Sequence, residues 1–169
     1  GKASRYKSEY DPALLFPVPR RAKREEIGLL DELPFTGVDI WNAYELSWLT
    51  SKGKPVVAMG EFRFPCESPN LIESKSFKLY LNSFNQTPFD SFERVGQVMA
   101  TDLSKAAGAD VGVRLLGSGE FGEQRLVEMP GECIDDLDIA IDRYALDPGL
   151  LEGAAEAVSY THLTLPTKR

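Results

Sequence analysis

The sequence predicts an α+β fold: an antiparallel four-stranded sheet with two helices on one face, in the order two strands, two helices, two strands. Three observations carry this reading. Val38, Ile40, Tyr44, Leu46 and Trp48 keep a period of two, and apolar residues return after a turn over 56–64, the pattern of half-buried strands. Between about 74 and 106 the spacing becomes helical, with Phe77, Tyr80, Leu81 and Phe84 at i, i+3, i+4 and i+7. Short strand-like runs then follow Gly108. Hairpins on either side of a helix pair give an antiparallel sheet covered on one face.

Residues 1–35 read as an arm. Pro12, Pro17 and Pro19 forbid a continuous helix, so an extended segment is expected whose Leu14-Leu15-Phe16 packs on the domain. The basic run Arg20-Arg21-Ala22-Lys23-Arg24 reads as a solvated stretch; the alternative is a contact for a phosphate or an acidic partner subunit. In the first strand Val38, Ile40, Tyr44, Leu46 and Trp48 alternate with Asp39, Ala43, Glu45 and Ser47. Thr50-Ser51-Lys52-Gly53-Lys54-Pro55 is a turn, and Pro65 and Pro69 end the returning strand.

The first helix is expected from Ser74 to about Asn85, with Ser74 as N-cap and Glu73 just before it. Its first turn would offer unpaired N–H groups to an anion such as a phosphate, and Lys75 adds a full charge. Glu73 suits another task. A fixed carboxylate accepts two parallel hydrogen bonds from a ring N–H and an adjacent exocyclic amine, the edge of a guanine-like base. On spacing alone, a capped amphipathic helix with solvated charges explains the same residues. The second helix runs over about 91–106, capped by Ser91, with Phe92, Val95, Val98, Met99 and Leu103 on its apolar side and Gly108 as its stop. Val111, Val113 and Leu115 make a third strand, Gly117 to Gly122 a loop, and 133–141 the fourth strand.

The 169 residues, 43% hydrophobic and 27% charged, suit one globular domain. A net charge of −7 argues against a nucleic-acid groove. No apolar run long enough to span a membrane and no signal-peptide layout occur. Cys66 and Cys133 form neither a zinc motif nor a disulfide framework, so a reducing cytoplasm is expected and both read as inert thiols. Asp135-Asp136-Leu137-Asp138 with Asp142 fails as a calcium loop, because Ala140 and Leu146 stand where a glycine and a glutamate are needed; alternation on the wet face of a strand accounts for the acids. No metal site is expected. No glycine-rich dinucleotide fingerprint is present either. The chain does not begin with Met, and Gly1 is expected not to be its natural beginning.

Glu73-Ser74-Lys75-Ser76-Phe77-Lys78-Leu79-Tyr80 resembles the signature of the NADPH-dependent 7-cyano-7-deazaguanine reductases, nitrile reductases of the queuosine pathway. Gly1-Lys2-Ala3-Ser4, Leu14-Leu15-Phe16-Pro17-Val18-Pro19-Arg20, Gly37-Val38-Asp39-Ile40-Trp41, Tyr44-Glu45-Leu46-Ser47-Trp48-Leu49 and Cys133-Ile134-Asp135-Asp136-Leu137-Asp138-Ile139 extend the likeness to about residue 150, against the N-terminal half of the two-module form. The resemblance implies a tunnelling fold, in which modules assemble into a barrel with sites at the seams, and hence a homodimer. It divides the chain into an arm over 1–35, a module over 36–147, the start of a linker over 148–157 and a non-native tail over 158–169. That tail holds the lone histidine, His162, to which no chemistry is assigned.

The resemblance also implies a free deazapurine substrate, with Ile72, Glu73 and Ser74 lining its pocket and Ser74 and Lys75 touching NADPH. In this family a cysteine thiolate adds to the nitrile carbon, the resulting thioimide is reduced by hydride from NADPH, and an aspartate supplies a proton; its pattern is Ser-x-Cys-Pro-x-Thr-Gly-x-Pro-Asp. Here the hairpin tip reads Ser47-Trp48-Leu49-Thr50-Ser51-Lys52-Gly53-Lys54-Pro55-Val56, so Leu49 and Val56 replace the cysteine and aspartate. No catalytic residue is assigned. The resemblance implies that those groups belong to a C-terminal module and that this chain alone is inactive. A purine- or pterin-binding module without turnover, or a purely structural half-barrel, is the alternative.

Overall fold

The computed structural model describes residues 9–29, 32–125, 131, 133–147 and 149. The expected tail over 158–169 and His162 lie outside them, as does most of the expected linker. The described residues divide into one unit ending at Gln124 and a second beginning at Arg125.

The α+β class is observed. In the first unit, strand β1 (Pro17–Pro19) and helix α1 (Arg21–Glu26) precede a long hairpin of β2 (Val38–Thr50) and β3 (Pro55–Pro65). Strand β4 (Asn70–Ile72) leads into α2 (Ser74–Ser83); β5 (Pro88–Phe89), α3 (Phe92–Ala107) and β6 (Gly112–Gly117) follow. The main sheet has the order β5-β2-β3-β6, and β1 pairs with β4 in a separate two-stranded ribbon. Gly53 sits at φ +77° in the hairpin turn, a conformation that favours glycine.

Both long helices cover one face of the sheet. Trp48, Phe62 and Phe64 from the hairpin meet Phe77, Tyr80 and Phe84 of α2 and Val95, Met99 and Leu103 of α3 in one buried cluster. Phe62 and Phe77 pack edge to face with ring centroids 5.0 Å apart. Each such side chain contributes roughly 1.5–3 kcal/mol on burial. Helix α3 is bounded as expected: Ser91 Oγ accepts from the Arg94 N–H at 3.0 Å, and Gly108 ends the helix at φ +74°.

Four expectations are corrected. First, β2 does not keep one phase. Ala43 pairs with Gly60 and Leu46 with Ala58, so β2 carries one residue more than its partner in between. That bulge reverses the alternation. Leu46 and Trp48 are 2% exposed, whereas Val38, Ile40 and Tyr44 turn outward at 44%, 49% and 65%.

Second, residues 133–141 are not a strand among the described residues; the fourth place in the sheet belongs to β5, which runs parallel to β2. Asp135 and Asp136 form a turn closed by the Leu137 N–H on the Ile134 carbonyl at 3.2 Å, as adjacent aspartates favour. The described residues of the second unit carry no α-helix or strand; an Arg143–Asp147 ion pair is a side-chain link among them.

Third, the basic run is not simply solvated. It forms α1, where Arg21–Glu25 and Lys23–Glu26 pair at the surface. Arg20 turns inward to Asp39 and to Ser68 Oγ, and Arg24 donates to the Cys66 carbonyl. These partners lie far along the chain, so the folded unit pins charges that read as free in sequence.

Fourth, the stretch from Ser118 to Glu123 is a 3₁₀ turn rather than open loop.

The arm acts as a strap. The Tyr10 N–H donates to Thr87 Oγ1 at 2.9 Å and the Asp11 N–H to Ser83 Oγ at 3.2 Å, both near the C-terminal end of α2. Phe16 then meets the helix start, and the Arg20 N–H reaches the Pro69 carbonyl at 3.0 Å. The strap therefore runs antiparallel along the whole of α2.

Candidate functional site

The site is built at the junction of β4 and α2. Glu73, in extended conformation, is itself the N-cap, which corrects the assignment of that role to Ser74. Ser74 is already the first helical residue and cannot cap the helix it belongs to. Glu73 Oε1 accepts the Lys75 N–H at 2.9 Å, and Oε2 accepts the Ser76 N–H at 2.6 Å. The Lys75 N–H, above all, and the Ser76 N–H hold the Glu73 carboxyl below its ordinary range despite the opposing effect of burial. It is thus ionised at neutral pH, and each oxygen keeps a further lone pair.

This carboxylate changes the expected anion site. The Lys75 and Ser76 N–H groups that the first turn was to offer a phosphate are already satisfied, and they face a negative charge. The Lys75 ammonium and the Ser74 hydroxyl remain as exposed side chains.

The four anticipated residues do not share one environment. Ile72 is 4% exposed with its side chain in the core, Glu73 is half-buried, and Ser74 and Lys75 are exposed. Beside them a groove of about 500 Å³ opens between β2 and α2, and of the four only Ser74 lines it. Its apolar wall comes from Trp41, Phe62, Phe77 and Leu81, its polar rim from Asn42, Glu45, Lys78 and Asn82. Lys78 and Asn82 were missed as candidates. Their signal was legible: Ser74, Lys78 and Asn82 are four apart and so fall on one helix face.

At the hairpin tip Leu49 and Val56 are half-buried. Leu49 pairs with Pro55 and Pro88, and its N–H donates to the Thr87 carbonyl at 3.0 Å. Ser47 Oγ donates to Asn85 Oδ1 at 2.9 Å, tying the tip to the end of α2. The turn is intact and carries no cysteine or aspartate. Cys66 is buried, and burial pushes its thiol above its ordinary range, with neighbouring Glu67 acting in the same direction. Cys133 is exposed, and neither cysteine lines the groove. Among the described residues no group of His, Cys, Asp and Glu suits a metal ion, and no helix is long and apolar enough to cross a membrane.

The family model of the nitrile reductases, 7-cyano-7-deazaguanine reductase N-terminal part, matches residues 6–115. The chain belongs to that family. Curated relatives named NADPH-dependent 7-cyano-7-deazaguanine reductase include the protein of Azoarcus sp. (strain BH72), 55% identical over 96% of this chain and 59% of its own length. Those of Ralstonia nicotianae and Chromobacterium violaceum are 54% and 52% identical, over 96% and 94% of this chain and 61% and 57% of their lengths. The chain spans about three fifths of the length of these reductases. The reductase match takes in the strap, the hairpin, the signature and both long helices, and the α+β arrangement is compatible with the tunnelling fold.

Proposed function

We propose that this chain is the N-terminal module of a two-module NADPH-dependent nitrile reductase that converts 7-cyano-7-deazaguanine to its 7-aminomethyl product for queuosine biosynthesis. The observation that carries the reading is the ionised, doubly anchored carboxylate of Glu73 within the reductase signature, beside a hairpin tip that carries Leu49 and Val56. Glu73 accepts the ring N–H and exocyclic amine of the base on its free lone pairs. With its side chain in the core, Ile72 contributes its main chain, and Ser74 adds a hydroxyl at the groove edge.

NADPH, when bound, supplies the hydride. Because Glu73 occupies the Lys75 and Ser76 N–H groups, contact with the cofactor rests on the side chains of Ser74 and Lys75, an exposed donor and an exposed cation that fit a phosphate or ribose. This chain recognises and holds, while the thiolate nucleophile and the proton donor come from the C-terminal module of the same protein. The working enzyme is a cytoplasmic homodimer acting on a free base, with no nucleic acid or membrane as partner.

Calorimetric titration of 7-cyano-7-deazaguanine into the chain and into its Glu73→Gln variant, together with an assay of NADPH consumption, tests the reading. Binding that depends on Glu73, with no turnover by the isolated chain and turnover by the full-length protein, is the expected result. NADPH oxidation on the nitrile by the isolated chain, or full affinity in Glu73→Gln, would overturn it.

A further inference from the structure

Ser76 is 7% exposed and touches Glu73 twice. Its N–H donates to Glu73 Oε2, and its hydroxyl donates to the Glu73 carbonyl at 2.7 Å. The same hydroxyl accepts the Phe16 N–H of the strap at 3.1 Å, while the Phe16 carbonyl accepts the Glu73 N–H at 2.9 Å. Glu73 is therefore held at its amide, its carbonyl and both carboxylate oxygens, and Ser76 takes part in two of these bonds. The Phe16 side chain is 62% exposed, so the strap acts here through its backbone.

We propose that Ser76 is a positioning residue for ligand discrimination: its hydroxyl locks Glu73 between strap and helix and so sets the carboxylate against edges that present both a ring N–H and an exocyclic amine. This rests on the reading of Glu73 as the acceptor for a guanine-like edge. Two parallel hydrogen bonds require the acceptor plane to be fixed, and a carboxylate free to rotate tolerates one donor nearly as well as two. A helix cap needs only the backbone N–H of Ser76; the buried hydroxyl and its contact with Phe16 add the constraint.

The test is the ratio of affinities, in the full-length protein, for 7-cyano-7-deazaguanine and for the same ring lacking the exocyclic amine. Ser76→Ala is expected to lower that ratio about 5- to 10-fold, the size of one hydrogen bond, and Ser76→Thr, which keeps the hydroxyl, to hold it near the native value. Equal losses on both ligands in Ser76→Ala, or a ratio lost as fully in Ser76→Thr, would overturn the proposal. Glu73→Gln separates the two readings: a ratio unchanged there removes the base-reading role and this inference with it, whereas a ratio collapsed in Glu73→Gln but intact in Ser76→Ala removes this inference alone.

Discussion

Tyr10 and Tyr80 converge on a single oxygen: both hydroxyls donate to Oδ2 of Asp102, at 2.5 and 2.7 Å. Tyr10 belongs to the strap, Tyr80 to α2 and Asp102 to α3, so one carboxylate joins three elements. Burial first, and then Asp102, push both phenols above their ordinary value of 10.0. Below that value the neutral forms prevail in both folded and unfolded chains, and the stabilisation is complete. Above it the unfolded chain releases protons that the folded chain keeps, so stability falls as pH rises. Urea midpoints followed from about pH 8 to about pH 11 should decline beyond pH 10, and less steeply in Tyr80→Phe.

Replacing the shared acceptor is expected to be costly. Asp102→Ala leaves the fully buried Tyr80 hydroxyl and that of Tyr10 without their partner, a loss of about 2–4 kcal/mol at neutral pH. Denaturant unfolding measures it. A loss below about 0.5 kcal/mol would mean that water replaces the carboxylate without penalty.

Glu73→Gln has a structural cost besides its proposed effect on ligand. Removing the N-cap carboxylate should lower stability by about 1 kcal/mol. Since the Glu73 carboxyl lies below its ordinary 4.5 in the folded chain, its contribution is present above that value and disappears as pH falls through the lowered one. The gap in melting temperature between wild type and variant should therefore be wider at pH 7 than at about pH 3.

Gly60 lies on the core face of β3, where a Cβ would stand 2.7 Å from Leu46 Cδ1 and 3.1 Å from the Phe62 ring. Both side chains are buried, so Gly60→Ala should cost about 1–3 kcal/mol. Adding Leu46→Ala to Gly60→Ala removes the nearest clashing atom. The double variant should be more stable than the sum of the single losses predicts, by at least about 0.5 kcal/mol in a double-mutant cycle.

What could be read from sequence was local. The hairpin turn, the Ser91 cap and the Gly108 stop each depend on residues a few positions apart, and the structure places them as expected. The bulge after Ala43 was not legible, because nothing near it marks one extra residue and its effect appears only in pairing with β3. Arg20 and Arg24 read as solvated because their partners, Ser68 and Cys66, lie 48 and 42 positions away. At the site, the signature located Glu73 but not its capping role, which depends on backbone conformation at a residue type that seldom caps helices. The groove was missed because nearly half of its lining comes from β2.

The strap also orders events during synthesis. Phe16 leaves the ribosome long before Ser76, the residue its N–H must reach, and their bond closes a loop of 60 positions. The hairpin and α2 can form from nearby contacts, but the lock on Glu73 waits for both ends of that loop. A nascent chain paused before residue 76 therefore lacks the serine that ties Phe16 to Glu73, and those bonds close only once the start of α2 has emerged.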